Sequence, residues 1–482
     1  MSKRTDRRTF MKTSGAVAAG AALLGSISAT PAVHAAGSDE IGIALIGCGG
    51  RGQGAIRDRA QVGDNFKVVA VADAFESSAK NGANGIRNDA QKDGNALKGK
   101  VDLPDDNVFY GLDAYQKAVA VLKPGDQVVI ATPPGFRPFH YKAAVDKGLH
   151  VFMEKPVCID AAGFRLAMEA NKIADEKNLK VSVGFQRRVE PHYYNWVNQI
   201  HGGAIGDIQF TRVYWNGGGI WCRERDPGED ELRYQVKNWY HFVWLCGDNI
   251  VEQHAHNIDI GNWIHTKGDK LGHPVSANGQ GGRIIRGGGD ENLMLQAPPF
   301  SDRKAWDEFY QKNKKAFYRY GQAWDSFFVE YTYGDGSKMF SQCRHIGGTQ
   351  NNVSEYAYGT KGEGGAGRLV DREKKEIWKN SEQAKKGPYQ WEHDLLVNNI
   401  REDKPQNDGW WAAHSSMAAV LGREAAFTGK EVKWDDLVAK GKNYFPDGEI
   451  TSWDQKAPVQ PDANGFYEKT VAVPGRYNPF TE

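Results

Sequence analysis

One stretch constrains the fold more than any other: EIGIALIGCGGRGQGAI, Glu40 to Ile56. Ile41 to Ile46 is a short apolar run, the pattern of a strand buried on both faces of a parallel sheet. Gly47, Gly49 and Gly52 follow at G-x-G-x-x-G spacing. In that pattern the first glycine permits a tight turn, the second lets the backbone approach a pyrophosphate, and the third lets helix and strand pack closely. A helix starting there turns unpaired N–H groups toward an anion. The triplet alone says little in a chain with 56 glycines. Its surroundings say more. FKVVAVADA reads as a second apolar strand, and Asp73 stands at its end, about 20 residues beyond the last glycine. An acid there bonds the ribose 2′-hydroxyl and favours NAD over NADP. The plain alternative for Asp73 is a helix N-cap. The expected cofactor-binding residues of this segment are Gly47, Gly49, Gly50, Arg51, Gly52 and Asp73.

Strand and helix keep alternating. QVVIATPP (Gln127 to Pro134) is a buried strand running into a proline turn, FHYKAAVDKG a helix ending at Gly148, and HVFMEKP another strand ending at Glu154, Lys155 and Pro156. This order predicts a doubly wound parallel sheet. Ligands sit beyond the C-terminal ends of such strands, which adds Thr132, Pro133, Glu154 and Lys155 to the cofactor set. His140, a few residues past the proline turn, is expected near the nicotinamide, with a solvent-facing helix position as its alternative. A lysine at such a strand end can donate to a substrate hydroxyl and stabilise negative charge on that oxygen, although most lysines are simply exposed.

The rest of the composition narrows the partners. With a formal net charge of +1 over 482 residues, nothing supports a nucleic-acid or anionic-membrane partner built on bulk charge. Five cysteines and no CxxC give neither a disulfide framework nor a zinc ribbon. The chain opens with Arg7 and Arg8, a weakly apolar Ser14 to Ala29, and small residues around Ala35. These features predict a twin-arginine signal peptide over 1–35 and export to the periplasm, with the twin-arginine translocation machinery as partner. The run is too dilute for a membrane anchor, so no membrane span is expected after processing.

GCGGRG, ATPP…H and above all EKP resemble the Gfo/Idh/MocA family, which includes glucose–fructose oxidoreductase and inositol dehydrogenase. VGFQRRVEP, AYGTKGEGG and the closing LVNNIREDKPQND and AAVLGREAAFTGKEVKWDDL extend the resemblance over most of the chain. It implies an α/β protein: an N-terminal Rossmann domain at 36–158, and an α/β domain at 159–445 with a large open, mainly antiparallel sheet. The tail at 446–482, rich in Pro, Gly and Asp, is expected to lie extended over the surface, and 287–326 to be an insertion. No tryptophan precedes Trp196, which agrees with a change of domain. The family also implies a homo-oligomer.

EQHAHNID, Glu252 to Asp259, is then the segment of chemical interest. Inositol-dehydrogenase-like members carry an acid, a histidine four residues on and an acid three further. Glu252, His256 and Asp259 match that spacing, and one continuous helix would put them on one face. His254 would point elsewhere, which argues against a histidine-pair metal site. His256 suits the general base for a secondary hydroxyl, with Lys155 polarising the same oxygen. A helix histidine bonded to a backbone carbonyl is the alternative. Glu252, Asp259, Arg188, Tyr194 and Trp239 are expected to bind substrate, with Arg187 and Asn238 as weaker candidates.

The function implied is an exported NAD(P)-dependent oxidoreductase. It moves a hydride between tightly bound nicotinamide and a secondary hydroxyl of a sugar or glycoside, with likeness to members acting at carbon 3. The alternatives are an NAD-dependent glycoside hydrolase working through a transient keto-sugar, and a non-catalytic binding protein.

Overall fold

A computed structural model describes residues 40–283, 298, 301–318, 320–382, 385–445 and 448–480. The expected leader over 1–35, including Arg7 and Arg8, lies outside the described residues, as do 287–297 and 299–300 of the expected insertion and the ends of the expected tail.

Six parallel strands form the first sheet: β1 (Ile41–Ile46), β2 (Phe66–Asp73), β3 (Val108–Tyr110), β4 (Gln127–Ile130), β5 (His150–Met153) and β6 (Val181–Val183). Their order is β3-β2-β1-β4-β5-β6. Chain order reverses between β1 and β4, where the crevice of a doubly wound sheet opens. The strands are short apolar runs because helices cover both faces; β4 and β5 are buried at every position. The sheet runs past residue 158: β6 is reached through the helix Ala161–Glu176.

The second sheet has nine strands: β7 (Ile208–Gly217), β8 (Ser276–Gly282), β9 (Ser326–Thr332), β10 (Lys338–His345), β11 (Asn352–Gly359), β12 (Gly362–Gly365), β13 (Arg368–Asp371), β14 (Glu376–Lys379) and β15 (Val432–Lys433). The order is β14-β13-β12-β11-β7-β10-β9-β8-β15. β7 and β10 pair in parallel, and the other neighbours pair antiparallel. β10 alternates partly and fully buried positions, as expected for a sheet with one face on a core.

The helix Gly409–Thr428 is buried over nearly its whole length and touches both sheets, at β6 and at β8 and β9. The segment Gln406–Asp408 adds hydrogen bonds to β6: Val181 N donates to Gln406 O and Asp408 N to Val181 O. The described part of the insertion contains the helix Arg303–Tyr318. The tail carries one short 3-10 turn, yet it buries Tyr467 completely. No described helix is long and apolar enough to cross a membrane.

Candidate active site

The turn after β1 shows why its glycines are needed. Gly47 has φ +95°, and a Cβ there would lie 2.7 Å from the Ala131 carbonyl group. At Gly52 a Cβ would meet Gly47 O at 1.9 Å. Gly49 and Gly50, at the start of the helix Gly50–Ala60, have nothing within 4 Å of an added Cβ. Space is therefore left where helix N–H groups emerge, and it suits a pyrophosphate. Asp73, at the end of β2, accepts from Cys48 N at 2.8 Å and Phe75 N at 3.0 Å. It braces the glycine turn, and burial pushes its carboxyl up. The next helix is capped by Phe75, so Asp73 is not its N-cap.

Two cavities share this turn. One, of about 210 Å³, is lined by Gly47, Asp73, Thr132 and His140, among others. His140 Nδ1 lies 3.1 Å from Thr132 Oγ1, and its ring stacks on Tyr115 at 4.2 Å. Burial holds this imidazole down at about 3, with the Arg137 charge adding to the effect, so it is neutral. The second cavity, of about 460 Å³, is lined by Gly49 to Gly52, Glu154, Lys155, Glu252, His256 and Trp239. The second volume lies in the range of small-molecule sites.

Within the second cavity, Lys155 is buried. Its Nζ donates to the Glu252 backbone oxygen and lies 3.4 Å from Glu252 Oε1. The Tyr240 hydroxyl donates to Glu252 Oε2. His256 is buried with Nδ1 unbonded; its ring stacks on Trp215 and meets the edge of Phe185, each at 5.9 Å. Burial first, then the charges of Lys155 and Arg187, hold His256 well below its ordinary range, so it is a neutral acceptor. Arg51 does not stand free at the phosphate turn: its Nε bonds Glu154 Oε1 at 2.6 Å, and its guanidinium lies 4.2 Å over the Tyr389 ring.

The expected single helical face is corrected here. Asn249–Glu252 is one short helix and Ala255–His265 another. The chain widens between them, where His254 N bonds Asn249 O, five residues back. Glu252 and His256 still meet in the cavity, but Asp259 does not reach it. Asp259 is fully buried and paired twice with Arg188 (Nη2 to Oδ1 2.7 Å, Nε to Oδ2 3.0 Å). Ser415 Oγ also donates to it at 2.7 Å. Arg188 in turn lies 4.0 Å over the Trp411 ring. Neither residue lines either of these two cavities, and Tyr194 is 51% exposed and lines neither. Arg187 pairs with buried Glu355. His254 bonds Ser341 Oγ at 2.8 Å.

Arg188→Ala is therefore expected to act on the fold. It strands a carboxylate in the core, at a cost of about 3 to 5 kcal/mol. The check is a denaturant titration, with a large drop in midpoint; an unchanged midpoint would sink this assignment.

Several lining residues are absent from the sequence-based set. Arg137 is 3% exposed and donates to Thr132 O and Pro156 O, so it ties together the loops after β4 and β5. Trp221, Arg223, Gln253 and Tyr389 also line the second cavity. Arginine before His140 and the IWCR following a glycine run were the available signals. Neither spacing is one that a known chemistry demands.

Residues 41–185 match the family model described as "Oxidoreductase family, NAD-binding Rossmann fold". Among curated relatives, an inositol 2-dehydrogenase of Acidothermus cellulolyticus is 32% identical over 34% of this chain and 41% of its own length. A scyllo-inositol 2-dehydrogenase (NADP(+)) of Bacillus subtilis is 31% identical over 33% of this chain and 40% of its own length. The chain thus spans about two fifths of the curated relatives it matches. Among solved structures, an aldose-aldose oxidoreductase from Caulobacter crescentus complexed with glycerol shares the fold at TM-score 0.56, with 15% identity over 82% of this chain and 99% of that one. A putative myo-inositol dehydrogenase from Sinorhizobium meliloti shares it at 0.51, with 17% identity over 82% and 99%. Over 41–185, then, the chain is similar to the NAD-binding Rossmann domain of the Gfo/Idh/MocA oxidoreductases, and over most of its length it shares their fold.

Proposed function

We propose that the protein is an exported oxidoreductase that removes a hydride from a secondary hydroxyl carbon of a sugar or glycoside, using a tightly held NAD. The observation that carries the reading is the meeting of Lys155 and His256 in one cavity that opens onto the glycine turn. Gly47 to Gly52 and Asp73 would hold the dinucleotide, and Thr132, Pro133, His140 and Glu154 would complete its surroundings. When bound, the nicotinamide supplies a two-electron acceptor. Everything else is done by the chain. His256, neutral, takes the hydroxyl proton, while Lys155 donates to the oxygen on which negative charge grows. Glu252 fixes Lys155 through its backbone oxygen and its carboxylate. Trp239 and Trp221 offer faces for a sugar ring.

The paired arginines of the leader support export in the folded state, with the cofactor loaded beforehand. A cofactor carried out in this way must be reoxidised in place by a second substrate. The test is the near-ultraviolet absorbance of the protein purified without added cofactor, before and after adding simple glucosides. A band of reduced nicotinamide that grows with substrate is expected. If bound nicotinamide is present and stays oxidised while the glycoside is cleaved, the chemistry is hydrolysis. If no sugar reduces bound or added NAD, the oxidoreductase reading fails.

A further inference from the structure

The two cavities meet at a junction that includes a segment of the second domain. β7 ends in Asn216 and Gly217, and the chain continues through Gly218 and Gly219 into Trp221 and Arg223. Trp221, Arg223 and Trp239 line both cavities, together with Gly49, Thr132 and Pro133.

The backbone of this strap is pinned by buried polar side chains. Asn238, fully buried, accepts from Arg223 N at 2.7 Å and donates to Arg223 O at 3.0 Å. His241 Nε2 donates to Trp221 O at 2.8 Å. The side chains point outward from those anchors: Trp221 is 43% exposed and Arg223 is exposed, with its guanidinium 5.2 Å over the Trp221 ring. Two buried side chains, Asn238 and His241, thus hold the backbone that carries this cation.

The charge balance points the same way. The other cations of these cavities are engaged within the protein: Arg51 by Glu154 and Asp58, Lys155 by Glu252, Lys237 by Asp226 and Glu229, and buried Arg137 by the Thr132 and Pro156 carbonyls. Arg223 is the one charged residue common to both linings. It shares the lining with Gly49, where the glycine turn leaves room for phosphate.

We propose that Arg223, backed by Trp221, is a phosphate-binding residue for the dinucleotide, delivered by the second domain onto the Rossmann cleft. This rests on the NAD-dependent reading above and deepens it. The glycine turn supplies N–H donors, and the strap supplies the full charge the turn lacks. A cofactor held by both domains leaves slowly, as an exported protein with no external supply requires.

The experiment follows dinucleotide release from the purified full-length protein into a large excess of competing NAD, for wild type and Arg223→Ala. Adenosine binding, which involves no phosphate, is measured beside it. Release is expected to be roughly tenfold faster or more in the variant, the effect of losing one charge-assisted contact. Adenosine affinity is expected to stay unchanged. Salt should speed release from wild type more than from the variant. Equal release rates overturn the strap while leaving the oxidoreductase reading intact. So does a loss of adenosine binding as large as that of NAD, because the effect would then come through the fold. A wild type that neither retains nor binds NAD overturns both.

Discussion

Lys155→Met is expected to leave the fold and the bound dinucleotide in place and to cut kcat by roughly a hundred- to a thousandfold. Methionine keeps the unbranched stem in a site where Lys155 is 9% exposed, so packing changes little. What disappears is the ammonium that donates to Glu252 and, with substrate present, to the reacting oxygen. Single-turnover reduction of the bound nicotinamide reads the chemical step directly, and cofactor content reads binding. The same variant has a second signature. Lys155 is the largest electrostatic cause of the low His256 pKa, after burial. Removing it is expected to move the His256 titration part of the way back up, visible by imidazole NMR. Full turnover in the variant would remove Lys155 from the mechanism.

Acidification is expected to unfold the protein steeply below about pH 6.5. His140, His254 and His265 are held down at about 3, and His256 and His393 well below their ordinary value, in each case chiefly by burial. Unfolded, these groups take protons near 6.5. Between that value and the folded one, the unfolded chain binds more protons, so stability falls as pH falls. Each such histidine contributes a loss of up to about 1.4 kcal/mol per pH unit in that window. Carboxyls that burial pushes up, among them Asp160, Asp408 and Glu392, work in the opposite direction nearer their own range. Denaturant midpoints from pH 7.5 to 5 measure the slope. His393→Phe is the sharpest probe: both ring nitrogens lack a partner, and the ring packs 4.2 Å from Phe152. It should flatten the slope by about one proton. A flat wild-type profile would rule the account out.

The Rossmann half was legible because its constraints are local. Gly47 and Gly52 are forced by a positive φ and by a 1.9 Å approach, and no other residue meets those demands. The open second sheet followed from resemblance rather than pattern, since a strand such as β8, SANGQGG, carries almost no apolar signal. The Glu252–Asp259 face failed for a physical reason. Spacing predicts a shared face only on an unbroken helix, and the wide turn at His254 rotates Asp259 away to Arg188. Arg137, Trp221 and Arg223 escaped notice because their role comes from contacts far along the chain, which spacing does not encode.

The helix Gly409–Thr428 and the bonds from Gln406 and Asp408 to β6 have a consequence for how this molecule comes into being. The edge of the first sheet is finished by residues made more than two hundred positions later. A nascent N-terminal half leaves the ribosome with that edge open and part of its core bare. It must stay unaggregated until the closing helix arrives, because non-local pairing is slow and exposed edges recruit partners. Synthesis order and assembly order therefore diverge, and the two sheets are expected to melt in a single transition rather than in two.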